Sequence, residues 1–571
     1  MDPPLAVRLR WLLWAPVRRE AKRHVRQWED AVRRTPEVQA RLLARLLAQA
    51  AETAFGRDFG LGRARTIADL RKALPVAGYE RVEPYIRRVR QGETAALFPP
   101  GTRIHMFAMT SGTTGSPKYI PVTDALLRAY RMGWHVWGVR ALLDDHLDAF
   151  GARILQIASR VDEEATPCGI PAGAMSGLTA QAQRRSIRWM YVMPPEACDA
   201  ADTPTKYYLA CRLGLVQRAV MPMTANPSTL LGLGRAMDER KEDLLRDLAD
   251  GTLSPDLALG PAARRRIGRR LRPRRARARE LDAAARRTGH LYPKDAWHLP
   301  LIGTWKGGTL GLYLREMPAY WGDAPVRDIG LIASEGRFSI PLRTEGHAGV
   351  LEVLGTFFEF VPEEEAGRPD AGALLAHEVE VGRRYFLVLT TPSGLFRYDL
   401  GDLVEVVDRV GPAPVIAFLN KGQHVSSLTG EKITEFQVVS AVNGCIERLN
   451  LAVRNYCLCP TWDAVPCYSL LVEACEVDPD GAGRLARAVD TALADLNMEY
   501  QTKRKSGRLG PVCVRTIPAG AWQAYDLKVI EARQGRVEQY KHKFLVNDVD
   551  FVQGFPAVGT YGPQEEGPRS P

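Results

Sequence analysis

The 571-residue chain contains no run of about 18 consecutive apolar residues, so it offers no helix able to span a bilayer. Its nine cysteines are an odd number, with no C-x-x-C pair and no Cys/His pairing at zinc-ligand spacing. That pattern speaks against a disulfide scaffold or a structural zinc site and for free thiols in a reducing compartment, so a cytoplasmic location is expected. Near the N-terminus, Trp11-Leu12-Leu13-Trp14 is apolar, but Arg8 and Arg10 interrupt the stretch and no small-residue cleavage site follows. It reads as an amphipathic helix packed on the body rather than a leader. Lysine is scarce, with 14 residues against 63 arginines, so each lysine beside a recognisable motif carries weight.

Hydrophobic residues make up 46% of the chain and charged residues 25%, an ordinary globular balance that excludes a disordered or collagenous protein. The net charge of +11 would ordinarily suggest nucleic acid or an anionic membrane as partner. Its location changes that reading. Between Pro261 and Thr288, twelve arginines face only Glu280 and Asp282, which leaves the rest of the chain almost neutral. No zinc-finger spacing, RNP pattern or helix-turn-helix signal accompanies the arginines, so a solvated helix face is expected, with neither nucleic acid nor membrane as partner.

Residues from about 5 to 55 show helical periodicity, with Thr35 as expected N-cap and Pro36 at the first helical position. Ile104 to Met109 is expected as a strand entering a glycine-rich loop, with a helix resuming after Thr123. Short apolar runs at 153–157, 301–304, 328–333 and 386–390, with helical stretches between the early ones, suggest an α/β body; 351–361 and 377–391 suggest an antiparallel portion. Around Asn420-Lys421-Gly422-Gln423 the pattern changes to an α+β unit. The expectation is therefore an α/β protein of two domains, 1–419 and 420–571, with a tail that frays after about 555.

The strongest chemical signal is Met109-Thr110-Ser111-Gly112-Thr113-Thr114-Gly115-Ser116-Pro117-Lys118. Its hydroxyls, its glycines that let backbone N–H groups approach an anion, and its terminal cation together suit a phosphate cradle. The spacing is not that of a Walker A loop. The stretch resembles the phosphate loop of the acyl-adenylate-forming superfamily, and the continuation Tyr119-Ile120-Pro121-Val122-Thr123 is similar to the GH3 family of acyl acid amido synthetases. Further segments agree in order: Trp305-Lys306-Gly307-Gly308, Ala333-Ser334-Glu335-Gly336, Arg397-Tyr398-Asp399-Leu400-Gly401-Asp402, Gly430-Glu431-Lys432 and Gln539-Tyr540-Lys541. The resemblance spans about residues 30 to 548.

The resemblance implies a large N-terminal adenylate-forming domain of mixed sheets and helices and a smaller, mobile C-terminal domain after a hinge at 420–423. It implies ATP and Mg2+ as cofactors, with Thr110 through Gly115 and Lys118 on the phosphates, Ser334, Tyr398, Asp402 and Lys421 on the nucleotide, and Glu335 near the metal. Lys541 is the lysine that would reach the reacting carboxylate, with Lys543 and Lys528 as alternatives. Lys118, Glu335 and Lys541 are thus the catalytic candidates. The implied activity is adenylation of a carboxylic acid followed by transfer to an amine, namely an amino acid, by a bacterial monomer or dimer.

Two departures stand out. Leu331 occupies the place where the family often stacks an aromatic residue on adenine, and Asp399 replaces an arginine, putting an anion near the ribose. A thioester-forming ligase with coenzyme A or a carrier thiol as acceptor is the alternative enzyme. From another class, a polyanion-binding pseudoenzyme would use the arginine run. Cys457, Cys459 and His424 could suggest a nucleophile and base, but packing or surface roles are expected, because an acid already activated as a mixed anhydride needs no covalent enzyme intermediate.

Overall fold

The structure is a computed structural model that describes residues 15–562 apart from 111–117, 143–145, 159, 182–187, 201, 308–310, 367, 369–370, 422–424, 427, 429–430, 432, 462–464, 506–508 and 533–541. The chain forms two compact units, the first reaching Phe418 and the second beginning at Leu419.

The first unit opens with the helices Ala15–Arg33 and Thr35–Ala50. Thr35 is not the N-cap of the second. That place falls to Arg34, and the Thr35 hydroxyl instead donates to the carbonyl of Val32 at 2.7 Å. Leu42, Leu43, Leu46 and Leu47, at helical spacing, pack into a core shared with Trp28, Phe107 and Phe358. The main sheet of this unit has seven strands in the order Ser339–Ile340, Gly349–Leu351, Ala413–Lys421, Tyr398–Val410, Arg384–Thr390, Phe357–Pro362 and Leu374–Leu375. Its described pairings are antiparallel, as the alternation at 351–361 and 377–391 suggests. A four-stranded sheet centres on Ile104–Thr110, which pairs antiparallel with Lys118–Thr123 and parallel with Pro171–Gly173.

The helix expected after Thr123 starts there. Lys118–Thr123 is a strand, and Thr123 caps the following helix, Asp124–Arg140, by accepting from Leu126 N at 3.2 Å. The runs at 153–157 and 301–304 contribute short parallel pairs, Arg153–Leu155 with Val220–Pro222 and Ile302–Thr304 with Val326–Asp328.

A second core, built from Leu209, Leu230, Leu244, Leu281 and Trp321 among others, lies under the arginine segment. Its helices, Pro261–Gly268 and Arg275–Thr288, bury Ala263, Ile267, Ala278, Leu281 and Ala285 and leave most of their arginines outside. The solvated-face reading fails at two positions. Arg264 donates to the carbonyls of Ser254 (2.9 Å) and Leu257 (3.0 Å), and Arg277 donates to those of Leu215 (3.3 Å) and Ala296. Arg270, Arg272 and Arg274 border a cleft of about 300 Å³ floored by Leu213, Val216 and Ile267, with Glu196 pairing Arg270 at 3.1 Å.

The second unit is α+β. Its sheet has the order Tyr456–Thr461, Cys467–Glu473, Cys513–Ile517, Gly559–Tyr561, and its helices include Glu435–Leu449 and Pro479–Leu496. Thr434 and Gln437 form a reciprocal capping box at the first helix, and Asn450 closes it at φ 52. The tail expected to fray after Phe555 instead adds the strand Gly559–Tyr561, antiparallel to Cys513–Ile517. Among the described residues, no helix is long and apolar enough to cross a membrane.

Candidate functional site

Thr110 and Lys118 are cross-strand partners at the end of the antiparallel pair Ile104–Thr110 and Lys118–Thr123, so residues 111–117 are the connection between these strands. Ser111, Gly112, Thr113, Thr114 and Gly115 lie outside the described residues, but their anchors are fixed. Lys118 Nζ lies between two aromatic rings, 5.5 Å from the centroid of Tyr79 and 5.9 Å from that of Tyr398. Such faces favour a cation without neutralising it. Tyr79, which the sequence did not single out, is held by the same strand: its hydroxyl accepts from Tyr119 N at 2.9 Å and donates to Tyr119 O at 3.1 Å. Burial pushes the Tyr79 phenol up to about 12.

Glu335 occupies the tip of a hairpin. The strands Ile332–Ala333 and Gly336–Arg337 pair directly, which makes Ser334 and Glu335 the two-residue turn. A turn carboxylate is usually solvated, yet Glu335 is 6% exposed. The hairpin is fastened from beneath. Tyr130, on the helix Asp124–Arg140, donates its hydroxyl to Ala333 O, and the buried Arg337 donates to Ile329 O at 2.5 Å while stacking 4.6 Å above Trp134. Burial lowers Arg337 to about 10, still well above neutrality.

Tyr398 joins the two. Its hydroxyl lies 3.5 Å from Lys118 Nζ and 3.5 Å from Glu335 Oε1, so cation, phenol and carboxylate form a row of long contacts. Burial, followed by the charge of Glu335, drives the Tyr398 phenol far above its ordinary range. It is a neutral hydroxyl at pH 7, able to accept from the lysine and donate to the carboxylate.

Asp402 lies within the strand Tyr398–Val410, although a Gly-Asp pair such as Gly401-Asp402 commonly marks a turn. The register against Arg384–Thr390 explains its aim. Val388 pairs with Asp399 and Phe386 with Leu403, so Leu400, Gly401 and Asp402 together face Leu387. This bulge needs Gly401, whose φ is 72. Asp402 is 3% exposed, in the same unit as Lys118 and Glu335. Asp399 is exposed instead, and its carboxylate accepts from Gly401 N at 2.8 Å. The anion that replaces the family's arginine thus serves the bulge. Leu331 is held in the hairpin base, its N–H donating to Ser339 Oγ at 2.9 Å, and it packs half-buried against the main core.

The structure therefore brings together Lys118, Tyr398 and Glu335. Lys421 ends the strand Ala413–Lys421, and its side chain lies outside the described residues, as do Lys541 and His424. Of the alternative lysines, Lys528 lies on the helix Ala521–Ala532, and both it and Lys543 are exposed on the second unit. Cys457 and Cys459 are buried in a strand, and burial pushes the Cys459 thiol up to about 12, as expected of packing residues rather than nucleophiles.

Comparison with known proteins covers nearly the whole chain. The GH3 family N-terminal domain matches residues 24–326, its central domain 350–421 and its C-terminal domain 436–550. A jasmonoyl-L-amino acid synthetase, GH3.5, of Oryza sativa subsp. japonica is 25% identical over 568 residues, covering 92% of this chain and 94% of the relative. An indole-3-acetic acid-amido synthetase, GH3.8, of Oryza sativa subsp. indica is 27% identical over 540 residues, covering 88% and 87%. Among solved structures, the GH3.15 acyl acid amido synthetase superposes with a TM-score of 0.81 at 21% identity, covering 94% of this chain and 96% of that one, which speaks to the fold. With all three of the family's domains matched in order along the chain, the chain belongs to the GH3 family.

Proposed function

We propose that this protein is an acyl acid amido synthetase. In the first half-reaction a carboxylate oxygen of the acid attacks the α-phosphorus of ATP and the bond to pyrophosphate breaks, giving acyl-AMP. In the second, an amine nitrogen attacks the acyl carbon, AMP leaves with the bonding pair, and the nitrogen gives up a proton to form an amide. The observation that carries this reading is the row Lys118–Tyr398–Glu335 at the root of the glycine-rich connection, in a chain of this family. Its polar atoms are preorganised in a buried setting, where charge stabilisation is strongest. Lys118 neutralises phosphate charge, Tyr398 keeps lysine and carboxylate in fixed relation, and Asp402 is the acceptor for the ribose hydroxyls.

Glu335 offers a hard carboxylate oxygen at the phosphate end of the site, which fits Mg2+. Among the described residues no group of three or more His, Cys, Asp and Glu could form a metal cage. Mg2+ commonly binds through one or two carboxylates plus substrate phosphates, and that is the arrangement Glu335 suits. The ion supplies charge neutralisation on the triphosphate.

The names of the relatives, amido synthetases of jasmonic and indole-3-acetic acid, support a small carboxylic acid as acyl donor and an amino acid as acceptor. Both relatives are rice proteins; a bacterial source, a cytoplasmic location and a monomeric or dimeric state are parts of this proposal. A polyanion-binding pseudoenzyme would have no use for Lys118, Glu335 and Asp402 together.

The test is pyrophosphate release from ATP across a panel of carboxylic acids, followed by mass spectrometry with pooled amino acids and coenzyme A. An acid-dependent release and an amide product are expected. A thioester product would replace the acceptor in this reading, and no acid-dependent release would overturn it.

A further inference from the structure

We infer that Glu359 and Arg397 are positioning residues for Tyr398, fixing its hydroxyl between Lys118 and Glu335; the inference rests on the nucleotide-site reading above. Arg397 directly precedes Tyr398 and has φ 44, a left-handed backbone that a residue with a side chain rarely adopts. Such a conformation persists only where surrounding structure over-determines it. Here it does. Arg397 Nε lies 2.9 Å from Glu359 Oε2 and Nη2 lies 3.2 Å from Oε1, while Nη1 donates to Leu74 O at 2.7 Å and the backbone N–H donates to Thr390 Oγ1 at 3.1 Å. Glu359 is 1% exposed and also accepts from Arg71 Nε at 2.9 Å, so one buried carboxylate holds two guanidinium groups.

The consequence reaches the site through the backbone. Ala77 N donates to Arg397 O at 3.2 Å, and Asp399 N donates to Ala77 O at 2.8 Å, which brackets Tyr398 on both sides. Two residues beyond Ala77 stands Tyr79, the other ring beside Lys118. The turn at Arg397 therefore sets the distance between the two rings that flank the lysine. A buried ion pair kept for stability alone could stand anywhere, and well-packed apolar residues replace such pairs with little loss. Its place at the strained residue before the site tyrosine is what a positioning role requires.

A double-mutant cycle separates the two roles. With the full chain, kcat/KM for ATP in acid-dependent pyrophosphate release is measured for wild type, Glu359→Gln, Tyr398→Phe and the pair. Glu359→Gln is expected to lower it tenfold or more in the wild type but less than threefold when Tyr398 is already Phe, because contacting or coupled residues are not additive. Arg397→Lys, which keeps the charge but loses the bidentate fork, repeats the test should Glu359→Gln fail to fold. Equal losses in both backgrounds, or none in either, would overturn the inference. A second readout stands apart from catalysis. 3-Fluorotyrosine placed at position 398 should change its 19F shift in Glu359→Gln or Arg397→Lys while the same label at Tyr456, in the second unit, does not. An unmoved resonance at 398 overturns the positioning role, whereas a moved resonance in a protein with no acid-dependent release overturns only the assigned reaction.

Discussion

Arg337 crosses the helix Asp124–Arg140 at Gly133 so closely that a Cβ on the glycine would lie 2.2 Å from Arg337 Cδ. This gap lets a buried arginine reach Ile329 O and Trp134 from the strand directly after Glu335. Gly133→Ala should therefore push the base of the hairpin. A loss of about 1–3 kcal/mol is expected from overpacking, with reduced pyrophosphate release. Gly138→Ala, in the same helix with nothing within 4 Å of its Cβ, is the control and should leave stability equal or higher in thermal unfolding.

Lys118→Ala, Glu335→Ala and Asp402→Ala should each lower adenylation while leaving the fold intact. Loss of a charge-assisted contact to developing charge is worth about 2–4 kcal/mol, or about 30-fold to 1,000-fold in rate. Pyrophosphate release with an acid that the parent enzyme accepts measures this, and wild-type rates in all three variants would remove them from the site.

Gly401→Ala tests the bulge that aims Asp402. At φ 72 an added side chain is strained, so the strand should shift its register or lose about 1–2 kcal/mol. The expected signature is a raised KM for ATP that exceeds any change in thermal stability.

Burial raises the Glu352 carboxyl to about 7, against the opposing pull of backbone donors at Leu354 and Gly355 and of Arg337. A carboxyl raised on folding keeps more protons in the native state, so its contribution is full below the unfolded value of about 4.3 and is lost as pH climbs through about 7. Relative to Glu352→Gln, wild type should lose on the order of 3 kcal/mol of stability between pH 4 and 8. Denaturant unfolding at the two ends of that range checks it, and parallel pH curves would refute it.

Neutralising Arg265, Arg266 and Arg269 together should barely affect adenylation, since these side chains are exposed and screened within about 8–10 Å at physiological salt. Arg264→Ala and Arg277→Ala should each cost about 1–2 kcal/mol of stability, because both donate to main-chain carbonyls. Thermal unfolding distinguishes the two classes.

Lys541→Ala should impair formation of acyl-AMP yet still turn supplied acyl-AMP and the acceptor into product, if this lysine serves the adenylating conformation alone. Equal loss of both half-reactions would give Lys541 a structural role, and full adenylation would move the part to Lys543 or Lys528.

Features of this protein that depend on short stretches of chain are legible in its amino-acid order. The spacing of hydroxyls, glycines and Lys118 marked the connection after Thr110 as a candidate phosphate cradle, Glu335 and Asp402 stood out by their neighbours, and the leucines of Thr35–Ala50 announced a buried helix face. The sum of charges misled only locally, at Arg264 and Arg277, because a guanidinium on a charged run looks the same in sequence whether it meets water or a carbonyl. Contacts between residues far apart in the chain emerge only in the folded protein. Tyr79 stands beside Lys118 with its hydroxyl bridging to the backbone of Tyr119, and Glu359 meets Arg397 where the chain turns left-handed. Nor could the strand through Asp402 be told from a turn, because Gly401 is compatible with either and only pairing against Arg384–Thr390 selects the bulge. Periodicity and propensity act over a few residues, whereas a buried charge is fixed by whichever distant group can satisfy it, and that is known only once the chain has folded.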